Sequence, residues 1–171
     1  VVNWGDENIT FLEEDNYKHI YKTAGVYRIK GHFTFGNACA PNSSLTPCIT
    51  KVEYLATDTS NLGQAFKACK YLTSVNLSML NINNLSETFS GCQSLNEIDF
   101  AGTTFNGLKN MTATFNGCSR LKSLDLTIIN TENVTDMSYL FSECTTLTEL
   151  NISNLVTNNV INMKQMFAKC E

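Results

Sequence analysis

Asn133-Val134-Thr135-Asp136-Met137-Ser138-Tyr139-Leu140-Phe141-Ser142-Glu143-Cys144 returns, with its apolar positions kept, as Asn159-Val160-Ile161-Asn162-Met163-Lys164-Gln165-Met166-Phe167-Ala168-Lys169-Cys170. A stretch that recurs at a fixed step is one structural unit used repeatedly, and the fold follows from how such units stack. The Phe-x-x-Cys ending also occurs at Phe66, Phe89 and Phe115. Cys69, Cys92, Cys118, Cys144 and Cys170 therefore follow one another at one shorter step and then three equal ones. Leu62, Leu85, Met111, Met137 or Met163 stands four residues before each Phe. In the last four units Ile82, Leu108, Val134 or Val160 lies three residues earlier again. Apolar groups at steps of three and four share one face of a helix, so a short helix is predicted in each unit.

A second pattern, Leu-x-x-apolar-x-apolar, follows the first four of these cysteines: Leu72-Val75-Leu77, Leu95-Ile98-Phe100, Leu121-Leu124-Leu126 and Leu147-Leu150-Ile152. Ile49-Val52-Tyr54 is an earlier, degraded copy. Alternation of apolar and polar residues marks a short strand with one buried face. A unit this short cannot bury its own apolar stripe, so neighbours must stack into a continuous core. The fold class predicted is an α/β solenoid of the leucine-rich repeat type. Strand–loop–helix units build a parallel sheet over residues 49–171, in about five units.

The units resemble the BspA-like bacterial surface repeat. That family shows an Asn-Val-Thr-x-Met-x-x-Met-Phe segment, a Cys, and then a Leu-x-x-Leu-x-Leu strand. The last three units match it well, and the first two lack three residues in the loop before the predicted helix.

Residues 1–35 differ in character. Trp4-Gly5-Asp6, His19-x-Tyr21 and Gly25-x-Tyr27-Arg28-Ile29-Lys30-Gly31 are similar to the second half of a PKD-type β-sandwich. Thirty-five residues are too few for a complete sandwich. A small N-terminal β cap for the solenoid is therefore expected. Residues 36–48 contain both prolines of the chain and read as a linker loop.

Composition narrows the function. The net charge is −4, and the excess lies in residues 72–171, which carry five basic and nine acidic groups. No Lys/Arg cluster offers a field for a phosphate backbone, so no nucleic-acid partner is expected. No apolar run approaches the length of a membrane span.

Seven cysteines raise the question of metal or redox chemistry. There is no Cys-x-x-Cys pair and there are only two histidines, so neither metal nor cofactor is expected. The five cysteines at one repeat position read as a buried structural ladder. Cys39 and Cys48, nine positions apart in the linker, are candidates for a disulfide if the protein is exported. His19 and His32 lack the partners of a hydrolytic triad, no Gly-x-Ser-x-Gly elbow exists, and catalysis is not expected.

One polar stripe is the candidate binding site. Glu53, Asn76, Asp99, Asp125 and Asn151 sit between the two apolar positions of successive strands. Alternation points them outward, about 4.8 Å apart from rung to rung. They can be an ordinary solvated strand face, with Asn side chains bridging rungs, or a recognition surface in which Asp99 and Asp125 attract a basic ligand or a cation. Asn-x-Ser/Thr sequons at Asn84 and Asn110, among others, read as Asn-rich turns.

The resemblance implies a secreted or surface-displayed recognition and adhesion module. Its partner would be an extracellular-matrix or cell-surface protein or glycan, with signal and anchor outside this chain. The alternative is a structural spacer in a larger envelope protein. Because no further strand follows Cys170-Glu171, self-association through the C-terminal repeat edge is also expected.

Overall fold

The computed structural model describes residues 2–3, 9–10, 30–31, 50–53 and 60–170. Two units are formed: Val1–Thr34 with Ala56–Asp58, and Phe35–Leu55 with Thr59–Glu171. In the first, strand β1 (Val2–Asn3) lies between β2 (Ile9–Thr10) and β3 (Lys30–Gly31), antiparallel to both. Trp4, His19, Tyr21 and Tyr27, on which the sandwich likeness rests, and the loop over 36–48 lie outside the described residues.

The second unit contains the predicted strands, and they are parallel. Strands β4 (Lys51–Val52), β5 (Ser74–Asn76) and β6 (Glu97–Asp99) form one sheet in that order. Strands β7 (Ser123–Asp125) and β8 (Glu149–Asn151) pair separately. The register sets Val52, Val75 and Ile98 side by side, and Leu124 beside Leu150. The alternation is resolved as the sequence predicts: Val75, Leu77, Phe100, Leu124 and Leu126 are buried, while Glu97, Asp99, Ser123 and Asp125 are exposed.

The predicted helices are absent, and this corrects the α/β reading: none of the described residues is helical. Each segment from the Leu or Met to the Cys is instead a chain of nested four-residue turns. In the third segment, Thr114, Asn116 and Cys118 N–H groups donate to the carbonyls of Met111, Ala113 and Phe115, three residues back. The alternate N–H groups, of Met111, Ala113, Phe115 and Gly117, donate to the carbonyls of Asp136, Ser138, Leu140 and Ser142 on the next rung, at 3.0, 2.8, 3.0 and 2.8 Å. The first, second and fourth segments repeat this scheme.

Two left-handed residues per segment make the turns. Gln64, Glu87, Ala113, Tyr139 and Gln165 form one column of positive φ; Ala68, Gly91, Gly117, Glu143 and Lys169 form the other. Each occupies the third position of its turn, where a type II turn requires positive φ. A non-glycine residue held there costs about 1–2 kcal/mol. An eight-residue helix cannot offset its own nucleation in water. Stacked turns can, because every second N–H finds a partner on a neighbouring rung. The turns recur every four residues, so Leu62, Ala65, Phe66 and Cys69 all point inward with 0–2% exposure. That spacing imitates a helical stripe, which is why sequence periodicity alone does not separate the two.

The core is a column of rings. Phe66, Phe89, Phe115, Phe141 and Phe167 stack in order, with centroids 5.7, 5.8, 5.6 and 5.5 Å apart and planes within 11° of parallel. Phe66 to Phe141 are fully buried, whereas Phe167 is 47% exposed. On the last described rung Ile161 and Met163 are exposed as well.

Candidate functional site

Four of the five residues in the predicted polar stripe end strands. They are Asn76, Asp99, Asp125 and Asn151, with Asn76 in register with Asp99 and Asp125 with Asn151. Glu53 follows β4, is exposed, and reaches Lys51 at 3.7 Å. The four strand-ending side chains share a further task. Asn76 Oδ1 accepts from Ser78 N–H, Asp99 Oδ1 from Ala101, Asp125 Oδ1 from Thr127 and Asn151 Oδ1 from Ser153. These are Asx turns, which redirect the chain out of each strand. One oxygen of each group is thus committed to the fold, and the Asp125 carboxyl also takes a side-chain hydrogen bond from Asn151 on the next strand. Hydrogen bonds from the Thr127 hydroxyl and N–H hold the Asp125 carboxyl below the ordinary carboxylate range.

A second row of the same kind lies outside the strands, where alternation does not reach. Asn61, Asn84, Asn110, Asp136 and Asn162 are bridged rung to rung by backbone pairing. Each side-chain Oδ1 accepts from the N–H two residues on, in Gly63, Ser86, Thr112, Ser138 and Lys164. A sequence signal for it exists, since one of these residues directly precedes every Leu or Met that opens a turn segment. Sequon spacing alone marks only Asn84 and Asn110.

The cysteine column is structural, with one correction. Cys92, Cys118, Cys144 and Cys170 are free, and each thiol donates to the carbonyl of the Phe one rung earlier: Phe66, Phe89, Phe115 and Phe141, at 3.0–3.3 Å. Cys69, at the head of the column, is disulfide-bonded rather than free; the candidate pair Cys39 and Cys48 lies outside the described residues. Loss of solvation raises the thiols of Cys92 and Cys144 to about 12, and that of Cys118 well above its ordinary value. The thiolate is the reactive form, so these three are inert. Native protein treated with iodoacetamide at pH 8 is expected to label Cys170, which is partly exposed, ahead of the other three. Equal labelling of all four before unfolding, read by peptide mass, would contradict the buried ladder.

Among the described residues no group of three or more His, Cys, Asp and Glu side chains is placed to hold a metal ion. No helix among them is long and apolar enough to cross a membrane.

Comparison with known proteins adds the following. No curated protein matches the chain. A leucine-rich repeat protein of T. pallidum, whose crystal structure is known, is similar at 17% identity and a TM-score of 0.33, over 60% of this chain. The matched region spans 61% of that protein's length. Residues 60–171, which hold every turn segment described above, match the family model described as "Mycoplasma protein of unknown function, DUF285", and the chain belongs to that family.

Proposed function

We propose that the protein is a non-catalytic recognition module, displayed outside the cell or on its surface, which binds a protein or glycan through the strand face of its stack. The observation that carries this reading is the outward row Asn76, Asp99, Asp125 and Asn151. Each member is anchored by an Asx turn and so is held at a fixed position on that face. Groups already ordered lose little further entropy when a partner arrives. The BspA-like character of the repeat motif, and the PKD-like character of residues 1–35, support an adhesive role for an extracellular-matrix or cell-surface partner.

The spacer reading draws on the same turns, because they give the row a structural purpose without any ligand. One double substitution separates the two. In Asp99→Asn/Asp125→Asn, Oδ1 survives as an amide oxygen and the turns persist, while the bond between Asn151 and the Asp125 carboxyl is lost, so the fold should be retained with a modest fall in thermal stability. Binding to a panel of immobilised matrix proteins and glycans, read by surface plasmon resonance, should fall at least tenfold for any basic partner. A partner bound equally well by both forms would acquit the stripe; no partner at all would favour the spacer.

A further inference from the structure

The strand sheet is interrupted. Strand β6 pairs with β5 and β7 with β8, but no pairing joins β6 to β7. On the opposite side of the same two rungs the stack is closed: Leu85, Glu87, Phe89 and Gly91 N–H groups donate to Asn110, Thr112, Thr114 and Asn116 at 3.1, 2.8, 2.9 and 2.7 Å. The two rungs are therefore joined along their turn segments and unpaired between β6 and β7. An open groove of about 710 Å³ lies along this face, lined by residues of β6, β7 and β8.

Alternation identifies the backbone groups on its walls. Thr73 and Leu77 bond toward β6 through Glu97 and Asp99. In a parallel sheet the alternate residues then face the other way, so Ile98 and Phe100 turn their main-chain groups toward the groove. Lys122 and Leu126 bond toward β8, which leaves Ser123 and Asp125 facing the groove from the far side. Leu77 and Leu126 each donate an N–H to the next strand, at 2.8 and 3.0 Å, and Phe100, their counterpart, makes no such bond. Two strand edges thus confront each other unpaired.

The lining selects the occupant. Glu97, Asp125 and Glu149 line the groove, with Ile98, Phe100 and Ile128 as apolar surface, and no Lys or Arg is among the lining residues. Ile128 is 51% exposed. An exposed strand edge binds extended peptide by main-chain hydrogen bonds, while side chains alternating along the peptide set specificity.

We infer that the groove along β6, β7 and β8 takes an extended peptide segment with basic and β-branched residues in alternation, added as a strand to one or both of the free edges of β6 and β7. Lysines point outward to Glu97, Asp125 and Glu149, and apolar residues turn inward over Ile98 and Phe100. This rests on the proposed recognition function and names the partner chemistry for its strand face.

The test is fluorescence anisotropy at low salt with a labelled nine-residue peptide alternating Lys and Val. Two control peptides alternate Glu with Val, or carry N-methyl groups on every backbone amide of the Lys/Val sequence. The Lys/Val peptide should bind saturably and at least tenfold more tightly than either control, and Glu97→Gln/Glu149→Gln should weaken it at least fivefold. Absence of saturable binding would overturn the proposal. So would equal affinity for the N-methylated peptide, which keeps every charge but cannot pair, or indifference to the double substitution. The matrix-panel assay with Asp99→Asn/Asp125→Asn is scored separately. If it still shows loss of a partner while the peptide fails, the groove falls and the recognition function stands.

Discussion

Phe115→Ala is expected to lower the stability of the repeat stack by about 3–5 kcal/mol, the range for removing a large buried aromatic side chain. Phe115 is fully buried and is sandwiched between Phe89 at 5.8 Å and Phe141 at 5.6 Å. Its removal deletes two ring contacts, each contributing about 0.5–1.5 kcal/mol beyond area burial, and leaves a void that the rungs cannot close. They are held apart at fixed separation by the hydrogen bonds from Met111, Ala113, Phe115 and Gly117 to the next segment. Phe167→Ala is the matched control. That ring is 47% exposed and stacks on one side only, 5.5 Å from Phe141. Its loss should cost well under half as much.

Urea unfolding followed by far-ultraviolet circular dichroism measures both. A solenoid is held by contacts between neighbours, so damage at the middle rung should also broaden or split the transition. Equal losses at the two positions, or a loss at Phe115 below about 1 kcal/mol, a third of the smallest cost expected for a buried ring, would mean that the aromatic column is not what joins the rungs.

The same column explains what sequence could and could not disclose. Phe66, Phe89, Phe115, Phe141 and Phe167 recur at nearly constant spacing, and the need to bury them forces the units to stack. The strands are equally legible, because Val75/Leu77 and Leu124/Leu126 alternate with more exposed polar residues. The turn segments are not. A four-residue turn repeated twice buries positions one, four, five and eight, as one face of a helix does. The choice is made by the neighbouring rung, which accepts the alternate N–H groups, and periodicity within one segment carries no trace of that. A clue exists in Phe-Ser-Gly91-Cys and Phe-Asn-Gly117-Cys. Glycine is poorly suited to the middle of a helix but suited to φ of +77° and +71°. The candidate stripe is legible in position, since alternation alone turns Asp99 and Asp125 outward. Its Asx turns are not, because the residue two positions on could equally be engaged elsewhere. The interruption between β6 and β7 has no counterpart in spacing: the steps from Ile98 to Leu124 and from Leu124 to Leu150 are equal, yet only the second pair lies in paired strands.

Asp136→Asn is expected to destabilise the stack by about 1.5–3 kcal/mol at pH 7, the range for hydrogen bonds to a charged group, and to cost progressively less in acid. Asp136 stands where the other rungs carry Asn61, Asn84, Asn110 and Asn162. Its Oδ1 accepts from Ser138 N–H at 2.8 Å and from the Ser138 hydroxyl at 2.6 Å, and Oδ2 accepts from Asn162 Nδ2 at 3.0 Å. An asparagine keeps the first bond but sets an N–H₂ group against that of Asn162, two donors with no acceptor between them. Partial burial pushes the Asp136 carboxyl up. The bonds from Ser138, Asn162 and Thr112 together outweigh it, and the folded-state value is lowered. A carboxyl whose folded value is depressed contributes stability above its unfolded value, near 3.9, and loses that contribution as pH falls through the folded one. Glu87 and Asp125 are lowered as well and titrate in the same acid range, so only the difference between the two proteins isolates Asp136. Urea midpoints at pH 7, 5 and 3 should show a gap that is constant over the first two and shrinks at the third. A gap that persists unchanged at pH 3 would assign the loss to packing, and no gap at pH 7 would show that the rung does not use the charge.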